Sequence, residues 1–256
     1  YFSSLINFEE LRRLRQKQFE EKSRPRKWNA KFSPGALVDL EYDIEILQVM
    51  YGRDYPALRT PMLHDALEAL PQTKVVSVEE SRTLAHAYRF LRTLINGLHM
   101  LRGSAQDLFL PELDDDEFAH LARRMGYEAT ESLTPAQQLH LDFDTCTASV
   151  RAFVERHFGR DSLPGASVAN VADVILSDDI DRDVALRVLE STGFRNASRA
   201  YVNFRHMSGE AQTRETFARL SVLACDMLRA RADPDRALNN WERFVDVLPD
   251  AGRHYR

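Results

Sequence analysis

Apolar residues return every three or four positions through most of this 256-residue chain, and hardly any stretch alternates long enough to make a strand. The spacing predicts an all-α fold. A chain of this length can bury one large core or two modest ones.

The first segment, about Leu5 to Lys22, is cationic and amphipathic, and it breaks at Ser23-Arg24-Pro25 because a proline pushes its predecessor out of helical geometry. Lys27 to Phe32 reads as a short extended piece. Ser33-Pro34-Gly35 is a turn, and Ala36 to Tyr51 reads as a helix ending near Gly52, with Leu37, Leu40, Ile44 and Leu47 on one face. A short helix near Met62 to Leu70 comes next. Ser77-x-x-Glu80 is a capping-box signature ahead of a long helix, about Val78 to Leu101, whose core stripe is Leu84, Ala87, Leu91, Leu94, Ile95 and Leu98. Carboxylates in the Asp114 to Glu117 run suit the free N–H groups and positive dipole of a further helix start. Thr134-Pro135 places a cap and a first-turn proline ahead of a helix reaching about Phe158.

Gly159 to Gly165 interrupts the pattern with Pro, Gly and polar residues and marks a domain boundary. Beyond it, shorter helices are expected at Val168 to Leu176, Asp183 to Thr192, Ala197 to Met207 and Glu215 to Ala230. Asp233-Pro234 starts a last one toward Leu248. The expected architecture is a helical bundle followed by a second, small helical linker unit. No internal repeat of fixed period supports a solenoid.

The net charge of -5 argues against a nucleic-acid-binding domain, which normally carries a basic excess. The charge is uneven: nine Lys/Arg against two Glu between Arg12 and Lys31 leave about -12 for the rest of the chain. Cys146 and Cys225 lie too far apart, on helical segments, to form a disulfide or zinc framework, and read as buried thiols. No signal peptide or run of about 18 apolar residues is present, so a cytoplasmic protein is expected. The chain opens at Tyr1 without a start methionine and stops directly after an amphipathic stretch, and is expected to be a piece of a larger protein.

A search for chemistry returns little. Gly103-Ser104-Ala105-Gln106-Asp107-Leu108-Phe109 approaches the Gly-Ser-x-x-Asp-x-Asp motif of polymerase-β-type nucleotidyltransferases, but Phe109 stands where the second metal-binding carboxylate is needed. It reads as an inter-helix loop. Asp142-Phe143-Asp144 has the Asp-x-Asp spacing within a helical pattern, where the carboxylates diverge, and is expected on the surface. No His-Glu-x-x-His, Gly-x-Ser-x-Gly, P-loop or dinucleotide-binding glycine motif occurs, so no catalytic set is complete and no metal or cofactor site is assigned to this chain. Phe90, Phe153, Phe217 and Trp241 fall on helical stripes and read as core.

Lys31-Phe32-Ser33-Pro34-Gly35-Ala36-Leu37-Val38-Asp39-Leu40-Glu41-Tyr42 is the one specific segment: a lysine and a glycine turn lead into a helix with early carboxylates. Asp39 and Glu41 point about 200° apart on a helix, whereas Asp39 and Asp43 share a face. An ordinary helix start with dipole-matched acids accounts for the same pattern.

This segment resembles the Gly-Gly-x-x-Asp-Ile-Glu-Phe signature of the glutamine synthetase adenylyltransferase/deadenylylase family, in which the motif opens the helical domain after each nucleotidyltransferase domain. Ala36 replaces the second glycine, Leu40 the isoleucine and Tyr42 the phenylalanine, which weakens the tight-turn part of the motif. The related PII uridylyltransferases typically carry glutamine in place of Glu41. Leu101-Arg102 with Leu110-Pro111 resembles the family's long-helix ending, and Arg231 to Phe244 resembles its Pro-Asp-Pro-Asp-x-Ala-Leu stretch. The resemblance implies three parts. Residues 1–30 would be the last helix and exit strand of a truncated nucleotidyltransferase domain, 31–160 its helical companion, and 161–256 a linker unit before a further domain.

The implied parent activity is Mg²⁺-dependent transfer of AMP from ATP to glutamine synthetase, with phosphorolytic removal. Glutamine synthetase, a PII-type signalling protein and adjacent nucleotidyltransferase domains are the implied partners, and no nucleic acid or membrane. Lys31, Asp39 and Glu41 are the candidates to border the active-site cleft. Arg24, Arg26 and Lys27 are the candidates for phosphate or interdomain contact. A helical interaction module with a solvated basic face, or a regulatory scaffold whose catalytic domain has lost its carboxylates, remains a competing reading.

Overall fold

The computed structural model describes residues 7–24, 27–104, 107–131, 133–159, 169–209 and 211–248. Among these the chain forms eleven α-helices and no β-sheet, the all-α class that the periodicity predicts. Residues 1–166 and 167–256 make two compact units. Most of the expected interruption at 159–165 lies outside the described residues.

The first unit contains α1 (Phe8–Lys22), α2 (Leu37–Tyr51), α3 (Leu63–Ala69), α4 (Val78–Arg102), α5 (Asp116–Arg124) and α6 (Pro135–Phe158). Helix α4 packs on α3 and α6, α5 lies against α4 and α6, and α2 reaches α3, α4 and α6. Every residue of the predicted α2 and α4 stripes is buried, from Leu37 through Leu47 and from Leu84 through Leu98. The starts follow the local chemistry. Ser77 Oγ accepts the Glu80 N–H while Glu80 returns to the Ser77 N–H, and Thr134 and Gln137 repeat the arrangement at α6. Such caps satisfy N–H groups that the first turn leaves without partners, each contributing about 1 kcal/mol.

The second unit contains α7 (Val171–Leu176), α8 (Arg182–Ser191), α9 (Ala197–Met207), α10 (Ala211–Arg229) and α11 (Pro234–Asp246). Helix α10 packs on α7, and α9 lies between α8 and α11. Phe194, Phe204, Trp241 and Phe217 form a chain of ring contacts 5.7–6.2 Å apart. Phe90, Phe153 and Phe217 are buried core residues, while Trp241 is half-buried. Cys146 and Cys225 are buried free thiols. Among the described residues no helix is long and apolar enough to cross a membrane.

Two features of the first unit depart from the sequence reading. The extended piece after α1 and the loop after α4 pair with each other: the Ala30 N–H donates to Leu108 O at 2.9 Å and the Leu110 N–H to Trp28 O at 2.8 Å. Of Asp142 and Asp144, expected on the surface, the first is half-buried and the second buried. Asp142 accepts the Tyr127 hydroxyl at 2.5 Å, and the buried Asp144 lies 3.4 Å from His140 Nδ1 one turn earlier. Local partners make these burials affordable to the fold where periodicity alone predicts exposure.

Candidate functional site

The turn between the extended piece and α2 is built from its own side chains first. Asn29 Oδ1 accepts the N–H groups of Lys31 and Phe32 at 3.0 and 3.1 Å, and Ser33 Oγ accepts the Asn29 N–H at 2.7 Å. Asx- and Ser-mediated bonds of this kind replace backbone pairing where the chain reverses. Gly35 then takes φ +76°, a left-handed conformation that suits glycine. A Cβ there would stand 2.2 Å from Thr147 O and 2.7 Å from Arg151 Cγ, so the turn is pressed against the backbone of α6. Ala36, at φ -81°, needs no such freedom. Replacing the signature's second glycine therefore leaves the tight turn intact, contrary to the expectation from sequence.

Asp39 locks this turn from inside. Its Oδ2 accepts the Gly35 N–H at 2.7 Å and its Oδ1 accepts Arg15 Nε at 2.5 Å. Arg15 reaches from α1 and also donates through Nη2 to Phe32 O at 2.8 Å. From α6, Arg151 Nη1 donates to Pro34 O at 2.8 Å. Arg15, Asp39 and Arg151 are all buried. The basic run containing Arg15 reads in sequence as a solvated face or an interdomain edge; Arg15 instead turns inward, because a carboxylate and a carbonyl wait for it there.

Asp43 lies one turn beyond Asp39 on the same face, as the spacing predicts, and is also buried. Burial pushes the Asp39 carboxyl above its usual value against the pull of Arg15, the Gly35 N–H and Arg151. Burial, with the neighbouring Asp39 adding to it and Arg15 opposing, pushes Asp43 well above the usual carboxylate range. One guanidinium thus faces two carboxylates, and the pair is served best when Asp43 keeps its proton. Asp43 Oδ2 and Arg15 Nη1 are buried without hydrogen-bond partners and line a small cavity walled by Phe8, Leu11, Tyr42 and Ile46.

Glu41 points the other way. It is half-buried, 3.8 Å from Arg92 Nη1 on α4; burial raises its carboxyl, Lys31 and Arg92 lower it, and Glu45 raises it further. The half-buried Lys31 holds its ammonium 5.5 Å from the Phe32 ring centre. Lys31 and Glu41 therefore flank the turn while Asp39 lies beneath it. Arg24 stacks its guanidinium 4.5 Å from the Phe109 ring centre, and Lys27 lies 3.8 Å from Glu112. Arg26 is outside the described residues. Sequence reading names Asp39 without its role and omits Arg15 and Arg151. The only signal for Arg151 was an arginine inside an otherwise apolar helical neighbourhood, Val150-Arg151-Ala152-Phe153, and Arg15, within a charged run, carried none.

The implied magnesium finds no cradle here. Both Asp39 oxygens are committed to Arg15 and Gly35, and among the described residues no group of three or more His, Cys, Asp or Glu could hold a metal ion. The arrangement can fix a backbone turn and present one cation and one carboxylate beside it.

Comparison with known proteins agrees with the resemblance carried by this turn. The family model described as GlnD PII-uridylyltransferase matches residues 8–158. The chain is 29% identical over 231 residues, 89% of its length, to the bifunctional glutamine synthetase adenylyltransferase/adenylyl-removing enzyme of Leifsonia xyli subsp. xyli, covering 22% of that protein. It is 33% identical over 222 residues to the enzyme of the same name from Streptomyces coelicolor, covering 85% of this chain and 21% of the relative. With the Agrobacterium fabrum enzyme of that name it shares 27% over 234 residues, 86% of this chain and 22% of the relative. The chain thus spans about a fifth of the length of the curated relatives it matches. No solved structure matches. The chain belongs to the GlnD PII-uridylyltransferase family and is also similar to the bifunctional glutamine synthetase adenylyltransferase/adenylyl-removing enzymes.

Proposed function

We propose that this chain is the non-catalytic helical companion of a nucleotidyltransferase domain, in a parent that transfers AMP from ATP to glutamine synthetase and removes it again. The observation that carries this reading is the turn at residues 31–36, held from below by Arg15, Asp39 and Arg151 while Lys31 and Glu41 flank it. A rigid platform with a cation at its rim is what a neighbouring domain needs to border a site where phosphate charge develops.

In this reading Lys31 meets phosphate, Glu41 orients it, and Asp39 acts on the cleft through the turn it fixes. Arg24, Arg26 and Lys27 form the edge turned toward the neighbouring domain. ATP and Mg²⁺ belong to that domain's carboxylates; this chain supplies wall and docking surface for glutamine synthetase and a PII-type signalling protein, in the cytoplasm.

The test is transfer of labelled AMP from ATP and Mg²⁺ to glutamine synthetase, comparing this chain with one extended upstream through the gene's preceding coding sequence. Labelling with the extended protein alone supports the reading. Absence of both labelling and release of AMP from adenylylated glutamine synthetase defeats it. A scaffold reading draws on the end of α11 and its cap, where Phe244 is 59% and Val247 75% exposed. It is favoured if the preceding sequence carries no Gly-Ser-x-x-Asp-x-Asp motif.

A further inference from the structure

Helix α1 has one buried residue, and that residue is an arginine. Its neighbours Arg13, Leu14, Gln16 and Lys17 are exposed. Apolar packing would be met by a leucine at position 15, but a leucine would leave the buried Asp39 carboxylate and Phe32 O without their partner. The guanidinium even leaves Nη1 buried without a partner. Packing alone therefore does not account for Arg15.

What an arginine can do here, and a leucine cannot, is bridge two points of the turn at once. Nε meets the carboxylate that holds the Gly35 N–H, and Nη2 meets the carbonyl of Phe32, the residue after Lys31. The planar fork fixes the angle between these contacts, which a flexible ammonium would leave loose. The Val38 N–H donates to Lys31 O at 3.0 Å, closing the other side of the same turn onto α2. Any displacement of α1 relative to α2 is thus delivered to the backbone that carries Lys31.

We propose that Arg15 is a positioning residue for nucleotidyl transfer: it ties helix α1 to the 31–36 turn and so sets where Lys31 stands. The role rests on the function proposed above and on the family resemblance, which implies that α1 is the last helix of the catalytic domain. Arg15 touches no substrate. It acts through Phe32 O and Asp39.

Two measurements test it. In the 256-residue chain, Arg15→Met should speed hydrogen exchange at the Gly35 amide at least about 10-fold more than at interior α4 amides such as those of Leu91 and Leu94, which register the loss of stability of the whole unit. In the upstream-extended protein the same change should lower kcat for AMP transfer about 10- to 100-fold, the scale of a misplaced but still bound group, with KM for ATP altered less than about 3-fold. Arg15→Lys should recover part of kcat. If Arg15→Met does not fold, Arg15→Met/Asp39→Asn removes the stranded carboxylate, keeps an acceptor for Gly35 and is read in the same way. Unchanged Gly35 exchange, or wild-type kcat in the extended variant, overturns the proposal. Should the extended wild type neither transfer AMP to glutamine synthetase nor release it, the function proposed above fails, and Gly35 exchange alone decides whether Arg15 holds the turn.

Discussion

Arg15 Nε lies 2.5 Å from Asp39 Oδ1, with each side chain only 4% exposed, across 24 residues of chain. This pair joins the basic first helix to the carboxylate that opens α2. Because both charges are out of water, neither can lose its partner cheaply, and the pair behaves as a single structural element.

Asp39→Ala should therefore destabilise the first unit by about 3–5 kcal/mol, the cost of stranding a buried charge. It also frees the Gly35 N–H. The two tryptophans fall one in each unit, so denaturant unfolding followed by Trp28 fluorescence in a Trp241→Phe background reads the first unit alone. A loss below about 1 kcal/mol would mean that the pair is solvated in solution.

Gly35→Ala and Ala36→Gly should differ sharply although they exchange the same atoms at adjacent positions. The first places a Cβ 2.2 Å from Thr147 O at φ +76°, and should cost about 2–4 kcal/mol through conformational strain and overpacking. The second removes a methyl group at φ -81° and should cost about 1 kcal/mol, chiefly by loosening the unfolded chain. The same Trp28 transition checks both, and equal effects would contradict the close approach of the turn to α6.

The contrast between core and site explains what was readable from sequence. The stripe from Leu84 to Leu98 and the caps at Ser77 and Thr134 are local: a period of 3.6 and a side chain three residues from its partner determine them. The turn's own residues were readable for the same reason. Its clamps were not. Arg15 meets Phe32 O across 17 residues and Arg151 meets Pro34 O across 117, and no local rule says which of many arginines will be drawn inward. The spacing separated Asp39 from Glu41 correctly onto different faces, but only the path of α1 and α6 assigns Asp39 to the interior. The partial burial of Asp142 was unreadable likewise, since Tyr127, to which it bonds, precedes α6 on another segment.

Glu80 should give the first unit an acid-sensitive component. Burial works against its charge, but the His157 ring, the Ser77 N–H and the Arg156 guanidinium together outweigh it and hold the carboxyl at about 2, below its ordinary 4.5. A folded-state value below the unfolded one means stabilisation that is complete above the ordinary value and lost as pH falls from about 5 toward 2. Solvent screening of this half-buried group and its exposed Arg156 partner reduces the contribution to about 1–2 kcal/mol. Glu80→Gln should lower stability at pH 7 and flatten the profile in that window. A Glu80→Gln profile parallel to wild type would place the acid sensitivity elsewhere.

Asp43 should act with the opposite sign. Its folded-state value is raised well above 3.8, first by burial and then by Asp39 beside it, against the pull of Arg15. The folded protein therefore binds a proton that the unfolded chain releases. Stability from this group is complete below about pH 4 and declines as pH rises toward the raised value. Asp43→Asn keeps the shape and the neutral state while abolishing the titration, and no hydrogen bond to Asp43 Oδ2 is lost because that atom has none. The variant should match wild type near pH 4 and exceed it in stability at neutral pH, with the gap opening across the intervening range. Urea titrations of the Trp28 transition at a series of pH values measure that gap. A variant less stable than wild type at pH 7 would mean that Asp43 is ionised and attracts Arg15 more strongly than burial opposes it, which would make Arg15 the shared partner of two charged carboxylates.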